Sequence, residues 1–195
     1  LSYKGEDDYG VVTAVAKVKQ LKTDDGDPAK AWARAAPLKG PRLPLERPPE
    51  LALKIPGNSA KSFEASSLLD LGAHPWAGQK VELWLEATDV AGQVGRSESI
   101  EVALPARRFV KPLARAVIEQ RRKLAEDSRN RPAVVRALDA LTIEPEGFID
   151  DAAIYLGFRT VYHRIERENS REAIGSAVDQ LWDLALKIED GALSN

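Results

Sequence analysis

Residues that carry several common protein chemistries are missing or scarce in this sequence. It contains no cysteine and only two histidines among 195 residues. Without cysteine the chain can form no disulfide, no thiolate zinc site and no cysteine nucleophile. The absence of cysteine does not determine the cellular compartment, because an oxidising compartment also tolerates such a chain. His74 and His163 lie in segments of different character, so neither a multi-histidine metal site nor a His-based triad is expected.

Long hydrophobic runs and several well-known catalytic motifs are absent as well. No window approaches the roughly 18 apolar residues that a membrane helix requires, and no secretory signal opens the chain. No GxGxxG, P-loop or GxSxG pattern occurs. The hydrophobic fraction of 44% and the charged fraction of 30% are typical of soluble globular proteins. We therefore predict no catalytic residue, no cofactor and no metal, and we do not expect an enzyme.

The charge of the chain is unevenly distributed, although its formal net value is only −2. Residues 105–136 hold 10 Lys and Arg against 3 Asp and Glu, whereas residues 137–195 hold 5 against 12. We favour the interpretation that these opposite charges meet between neighbouring helices, because apolar residues interrupt the basic stretch at helical spacing. The alternative is a basic face for nucleic acid or anionic lipid, which salt-sensitive binding would reveal.

The hydrophobic period of the first half is two residues, as in β-strands. Strands are predicted at residues 12–18, 51–55, 62–66, 79–89 and 100–104, with turns at 24–28 and 89–93. Five prolines within residues 37–49 predict an extended loop or edge segment. Several short strands in about 100 residues indicate an immunoglobulin-like antiparallel β-sandwich.

From Pro105 onward the hydrophobic period changes to 3.6 residues. Four helices are predicted, from Pro112 to Leu124, from Pro132 to Leu141, over residues 154–165 and over residues 174–188, with a break at 144–147. They are expected to form a small helical bundle. The predicted fold class is α+β, all-β then all-α, with a sandwich domain at 1–105 and a helical domain at 106–195.

Two tryptophans and one histidine form the possible binding surface: Trp84, Trp76 and His74. Trp84 interrupts the alternation of its strand and points to the polar face. It is either a partly exposed binding aromatic or, as we favour, a ring that another element such as the helical half covers. The string from His74 to Gly78 predicts a turn, with Trp76 plugging one end of the sandwich.

Acidic residues supply the remaining candidate chemistry. The run Glu6–Asp8, with Asp89, could bind calcium, although we favour ordinary turn-forming residues before a strand. The pair Asp150–Asp151 could act in acid–base catalysis, but a role at the N-terminal turn of the third helix is the favoured interpretation. His163 is interpreted as a partly exposed helical histidine rather than a catalytic base.

Six segments of the chain together resemble one protein family. They are residues 7–11 (DDYGV), 69–78 (LDLGAHPWAG), 89–93 (DVAGQ), 108–115 (RFVKPLAR), 118–125 (IEQRRKLA) and 181–191 (LWDLALKIEDG). On these segments the whole chain resembles a domain-of-unknown-function family of large bacterial membrane-anchored proteins. The turn at 89–93 also resembles the last hairpin of bacterial immunoglobulin-like domains, which agrees with the predicted sandwich.

The resemblance implies membrane helices near the N-terminus of a larger protein and a long extracytoplasmic C-terminal region. This chain would then be an excised middle fragment on the periplasmic side of the inner membrane, held to the membrane only through the parent protein. The resemblance implies no established activity, cofactor or catalytic residue.

Three functions are compatible with these features of the sequence. The leading one is a non-catalytic extracytoplasmic scaffold or protein-interaction module, with protein partners in the cell envelope and no nucleic acid. The second is a module that binds an envelope polymer, peptidoglycan or another glycan, by stacking on Trp84 or Trp76. The third is a carboxylate-dependent hydrolase, which would need two carboxylates in one cleft.

Overall fold

The computed structural model describes residues 1–21, 43–45, 47–57, 60–68, 70–143, 145, 149 and 151–191. The strands within this range are β1 (Ser2–Gln20), β2 (Leu51–Leu53), β3 (Ala60–Ser66), β4 (Lys80–Asp89), β5 (Val94–Arg96) and β6 (Ile100–Ala103). The α-helices are α1 (Pro112–Glu126), α2 (Arg131–Ile143), α3 (Ala152–Arg167) and α4 (Arg171–Asp190), and a 3-10 turn (Ser128–Asn130) separates α1 from α2. The α+β fold class is therefore confirmed, with strands before helices.

Some predicted features fall outside this range. The predicted turn at 24–28, residues 37–42 of the proline-rich segment and most of the break at 144–147 lie outside the described residues. Among the described residues, no helix has the length and apolar character needed to cross a membrane.

The strands of the described residues pair into one antiparallel sheet. β1 lies between β2 and β4, β3 also pairs with β1, and both β5 and β6 pair with β4. The register places Val18 opposite Leu83 and Lys17 opposite Trp84. Successive side chains of a strand point to opposite faces. Val18 and Leu83 therefore lie on one face, which is apolar, and Lys17 and Trp84 lie on the other, which is polar. The antiparallel sheet is confirmed, whereas its closure into an immunoglobulin-like sandwich stays a prediction.

The first strand is longer than the sequence indicated. β1 begins at Ser2 and pairs with β3 before its register shifts between Glu6 and Val11. Gly10, with a φ of 94°, lies within this irregularity, where glycine avoids the strain that a side chain would cause. The acidic run Glu6–Asp8 therefore lies inside β1 rather than before a strand, and Asp7 Oδ1 accepts a turn-type hydrogen bond of 3.2 Å from the Tyr9 N–H.

A hydrophobic core covers the apolar face of β1 and β4. Its buried members are Tyr3, Ala14, Ala16, Val18, Leu51, Leu53, Leu71, Trp76, Val81, Leu83 and Leu104. The Tyr3 hydroxyl lies 2.5 Å from the Lys54 carbonyl oxygen, to which it donates, and 2.8 Å from Ser67 Oγ. Tyr3 therefore connects the beginning of β1 to the residues that follow β2 and β3. Ile100 and Val102 of β6 lie on the same face as this core but are 55% and 36% exposed.

Side-chain caps determine where the last two helices begin. Asp151 Oδ1 accepts a hydrogen bond of 2.7 Å from the Ala153 N–H, and Ser170 Oγ accepts one of 3.2 Å from the Ala173 N–H. The Ala153 N–H, and then Lys187, lower the pKa of the Asp151 carboxyl. The N-terminal role predicted for Asp151 is confirmed, and Asp150 lies outside the described residues.

A second hydrophobic core lies among the helices. Its buried members are Leu45, Ala114, Val117, Leu124, Ala125, Val134, Leu138, Ile149, Phe158, Val161, Ile165, Ile174, Ala177, Val178, Leu181, Leu184, Ala185 and Ile188. Helix α4 packs against both α1 and α3. The buried Arg121 donates from Nε to the Val178 carbonyl oxygen at 3.1 Å and places its guanidinium 4.7 Å from the ring centre of Trp182. Polar and cation–π contacts thus join α1 to α4 inside a mostly apolar interface.

The chain divides into two compact units, Leu1–Asp25 with Pro48–Ala106 and Gly26–Arg47 with Arg107–Asn195. Within the second unit, the Leu45 N–H donates to the Ala125 carbonyl oxygen at 3.0 Å, and the Leu43 carbonyl oxygen accepts from the Ser128 N–H at 3.0 Å. Residues 43–45 therefore pack with the helices although they precede the predicted boundary. The domain ranges 1–105 and 106–195 stay predictions.

Asp127 connects the end of α1 to this segment. Its Oδ1 accepts hydrogen bonds from the Arg129 N–H at 3.0 Å and the Leu43 N–H at 3.5 Å, and its Oδ2 lies 2.5 Å from Arg129 Nη2. Burial alone would raise the pKa of the Asp127 carboxyl, but the hydrogen bonds from Arg129 and Leu43 lower the pKa below its usual value. The native state therefore favours the ionised carboxylate.

We expect Asp127→Asn to lower the free energy of unfolding at pH 7 by about 1 kcal/mol, because the amide loses the ion pair but keeps one cap acceptor. A lowered native pKa contributes stability above the unfolded value of about 3.9, and that stability is lost as pH falls through the native pKa. Urea unfolding between pH 7 and pH 2.5 should therefore show a smaller loss of stability in Asp127→Asn than in the parent.

Asp139→Asn is the matched control for this prediction. Asp139 also pairs with an arginine, Arg159 at 3.3 Å, but its side chain is 47% exposed, so its ion pair contributes little. Equal pH profiles for the parent and Asp127→Asn would contradict the role assigned to Asp127.

Candidate functional site

Trp84 lies half-buried on the polar face of the sheet, among four charged side chains. Its indole Nε1 donates to Glu86 Oε1 at 2.8 Å, and the Arg96 guanidinium carbon lies 4.3 Å from the ring centre. On the other side, Lys17 of β1 is the cross-strand neighbour of Trp84, and its Nζ lies 2.6 Å from Glu50 Oε1. We refer to Trp84, Glu86, Arg96, Lys17 and Glu50 as the Trp84 face.

The hairpin between β4 and β5 determines how these groups meet. Asp89 Oδ1 accepts the Gln93 N–H at 2.7 Å, and Gly92 adopts a φ of 82° within the predicted turn. The resulting register places Arg96 directly opposite Glu86, two residues along β4 from Trp84. The turn at 89–93 is thus confirmed, and it positions Arg96 against the tryptophan ring.

The charged groups of the Trp84 face are held by contacts with one another. The hydrogen bond between Lys17 and Glu50 raises the pKa of the lysine and lowers that of the glutamate, so both stay charged near neutral pH. Cation–π contact holds Arg96 over one side of the indole. Tryptophan and arginine are the residue types most enriched at the energetic centres of protein–protein interfaces.

The structure does not bring the three predicted binding residues together. Trp76 is only 2% exposed and belongs to the sheet core with Val81 and Leu83, whose side chains point away from the face that carries Trp84. His74 is half-buried in the preceding turn, where its Nδ1 lies 3.1 Å from the Trp76 backbone nitrogen. Trp76 therefore occupies the core, and its ring presents no stacking surface, whereas its predicted place at one end of a sandwich stays a prediction.

The remaining members of the Trp84 face differ in how far the sequence indicated them. Lys17 and Glu86 stand at polar positions of their alternating strands, which the sequence pattern showed. Arg96 and Glu50 carried no such signal, because their places depend on strand register and on a contact between residues distant in the chain. Coverage of Trp84 by the helical half stays a prediction.

The first residues of the basic stretch 105–136 contact acidic residues at the C-terminal end of α4. Arg107 Nη2 lies 2.6 Å from Asp190 Oδ1, and the carboxylate of Glu189 accepts the backbone N–H groups of Val110 at 2.8 Å and Lys111 at 3.0 Å. These N–H groups lower the pKa of the Glu189 carboxyl. The predicted pairing of the basic stretch with the acidic one is thus seen for Arg107, although Arg107 lies in the segment before α1 and not on a helix.

Other candidate chemistry has no supporting geometry in the described part of the chain. Among those residues, no group of three His, Asp or Glu side chains is placed to hold a metal ion. The Asp89 carboxylate accepts a turn hydrogen bond. His163 lies in α3, with Nε2 3.2 Å from Arg159 Nη2 and Nδ1 3.4 Å from Glu166 Oε2, which agrees with a partly exposed helical histidine.

Comparison with known proteins gives one match. A family model described as a domain of unknown function (DUF4175) matches residues 1–195. No curated protein and no solved structure matches the chain.

Proposed function

The chain belongs to the family described as domain of unknown function DUF4175, and from this premise we propose that it is a non-catalytic protein-interaction module. The observation that carries this proposal is the Trp84 face. There a half-buried indole, held by Glu86 and Arg96, lies on an antiparallel sheet beside the Lys17–Glu50 pair. The function is binding, and it requires no cofactor or metal.

Protein partners fit the Trp84 face better than other ligands do. Its side chains are already ordered by contacts with one another, so a partner would lose little entropy in fixing them. Both charge signs are present, which suits a protein surface of mixed charge and gives no preference for the uniform negative charge of nucleic acid. We therefore expect protein partners and no nucleic acid.

We also propose a cellular setting, which rests on the resemblance of the six segments in the sequence. The chain would be the middle part of a larger bacterial protein whose N-terminal helices span the inner membrane. The module would then act on the periplasmic side as a scaffold among proteins of the cell envelope.

The finer architecture belongs to this proposal too. β1 pairs with β3 before the register shift that follows Glu6 and lies between β2 and β4 after it, and Tyr3 from its first half shares a core with Val81 from β4. These observations support a sheet that folds over one core as an immunoglobulin-like sandwich. The packing of α4 on α1 and α3 supports a small helical bundle.

Binding of an envelope glycan is the second candidate, because a half-buried tryptophan on a sheet can stack on a sugar ring. Arg96 disfavours it, since its guanidinium already covers one side of the indole at 4.3 Å and a sugar stacking on that side would have to displace it. A carboxylate-dependent hydrolase is less favoured than either binding function.

Photo-crosslinking in the native envelope tests the proposal. A photoreactive residue replacing the exposed Lys19, which shares the polar face with Lys17, should form adducts with a defined protein. Adding Trp84→Ala and Arg96→Ala should reduce these adducts at least about tenfold, because both centre residues are lost. The same photoreactive residue at the exposed Lys61 of β3 is the positional control.

Two results would contradict the proposal. Adducts from Lys19 that persist in the double variant would show that the Trp84 face does not bind the partner. Cosedimentation with cell-wall sacculi that Trp84→Ala abolishes would instead favour the glycan function.

A further inference from the structure

A second surface, in the helical unit, has the composition of a binding site. An open cavity of about 210 Å³ is lined by Arg107, Phe109, Arg115, Ile118, Glu119 and Arg122. Three of its lining side chains are arginines and two are apolar. We refer to this cavity as the basic pocket, and it is separate from the Trp84 face in residues and in chemistry.

Two elements of the helical unit form the basic pocket. On α1, the lining residues Arg115, Ile118 and Arg122 follow the spacing i, i+3, i+7, so they share one side of the helix. The other wall is the segment before α1, where Phe109 contacts the ring of Trp182 edge-to-face at 5.7 Å. Glu189 fixes this segment through the two backbone N–H groups that follow Phe109, so the pocket is largely preformed.

The arginines of the basic pocket are available to an anion to different degrees. Arg115 is exposed and makes no ion pair with another described residue. Arg122 Nε lies 3.8 Å from Glu126 Oε1. This ion pair is weak, because the distance is long and the Arg122 side chain is 46% exposed. The lining acid, Glu119, is paired with Lys123 at 2.8 Å. The pocket therefore keeps an excess of positive charge beside half-buried apolar side chains.

We propose that the basic pocket binds an acidic peptide segment of a partner protein. An apolar side chain of the peptide would contact Phe109 and Ile118, while flanking carboxylates would pair with Arg115 and Arg122. The guanidinium fork matches a carboxylate with two parallel hydrogen bonds. The two arginines lie two turns apart, about 10 Å along α1, a distance that an extended peptide crosses in three to four residues.

The apolar lining residues Phe109 and Ile118 are the reason to prefer a peptide over an anionic membrane or free phosphate. A lipid headgroup or phosphate would use the arginines but would gain nothing from Phe109 and Ile118. In an extended peptide, residues i, i+2 and i+4 point to the same side, so a sequence with glutamates around a central phenylalanine presents all three groups together.

Fluorescence anisotropy with the 195-residue chain tests this inference. The probe is a dye-labelled peptide of sequence Glu-Ser-Phe-Ser-Glu, with Gln-Ser-Phe-Ser-Gln and Glu-Ser-Gly-Ser-Glu as matched peptides. We expect saturable binding of the first peptide that weakens at least about tenfold with glutamine and about threefold or more with glycine. Binding should weaken as salt is added, because the contacts are charged.

Substitutions in the protein test whether the peptide binds in the basic pocket. The double variant Arg115→Gln, Arg122→Gln should bind the first peptide at least about tenfold more weakly. Arg136→Gln on α2 removes an exposed arginine elsewhere in the helical unit and should change the affinity less than about twofold. Circular dichroism checks that each variant is folded. Trp84→Ala should leave peptide affinity unchanged, which separates this inference from the proposed function.

Several outcomes would overturn the inference. Equal affinity for the glutamate and glutamine peptides would exclude carboxylate recognition, and equal losses in Arg136→Gln and the double variant would show non-specific attraction. Binding to vesicles of phosphatidylglycerol, but not to the peptide, would assign the pocket to a membrane surface. Equal affinity for the phenylalanine and glycine peptides would show that Phe109 and Ile118 contribute nothing.

Discussion

Phe158→Ala is expected to lower the free energy of unfolding by about 3–5 kcal/mol. Phe158 of α3 is fully buried in the helical core, so its removal would leave a cavity that the surrounding helices fill only in part. Urea unfolding followed by circular dichroism at 222 nm measures this loss. Phe158→Leu should cost less, because it retains most of the apolar volume.

Leu156→Ala is the matched control on the same helix. Leu156 is 61% exposed, so its truncation should change the free energy of unfolding by no more than about 0.5 kcal/mol. Similar losses for Phe158→Ala and Leu156→Ala would contradict the burial of Phe158 and the exposure of Leu156.

The helices were the more predictable half because each carries its own local information. The spacing of Ile174, Val178 and Leu181 on α4 indicates one apolar face, and Pro112 and Gly191 mark helix ends. The place of Leu45 could not be predicted in this way. It enters the helical core through contacts with residues about 80 positions later, and no periodicity in a proline-rich segment indicates such a contact.

The strands were less predictable, because the stability of a strand depends on the strands that pair with it and not only on its own sequence pattern. β5 has the sequence Val-Gly-Arg and is exposed throughout, so no alternation with buried residues reveals it. The first half of β1 is acidic and contains Gly5, yet the Phe63 ring of the partner strand lies directly over that glycine. Such cross-strand contacts stabilise a strand whose own residues have low β-propensity.

The candidate site shows the same division between local and long-range information. Alternation along β4 correctly predicted that Trp84 would point to the polar face. The contact with Arg96 arises only when the turn at 89–93 fixes the register of β5. The sequence can therefore indicate an unusual side chain on a face, whereas its partners require the pairing of strands.

Trp76→Ala is the second substitution from which we expect a large effect, a loss of about 3–5 kcal/mol in the free energy of unfolding. The ring is 2% exposed within the core of the sheet. Its Nε1 has no hydrogen-bond partner in the described part of the chain, so Trp76→Phe loses volume but also removes a costly buried N–H. We therefore expect Trp76→Phe to be clearly more stable than Trp76→Ala in the same urea measurement.

Trp84→Ala is the matched control, because it removes the same side chain from the opposite face of the same sheet. Its ring is half-buried and has a cation–π contact with Arg96 and a hydrogen bond to Glu86, so the expected loss is about 1 kcal/mol. A loss as large as that of Trp76→Ala would mean that further residues, besides Arg96 and Glu86, cover Trp84. The ring could then not serve as a binding surface. A small loss would leave a folded protein with an altered Trp84 face, which is the condition that the crosslinking experiment requires.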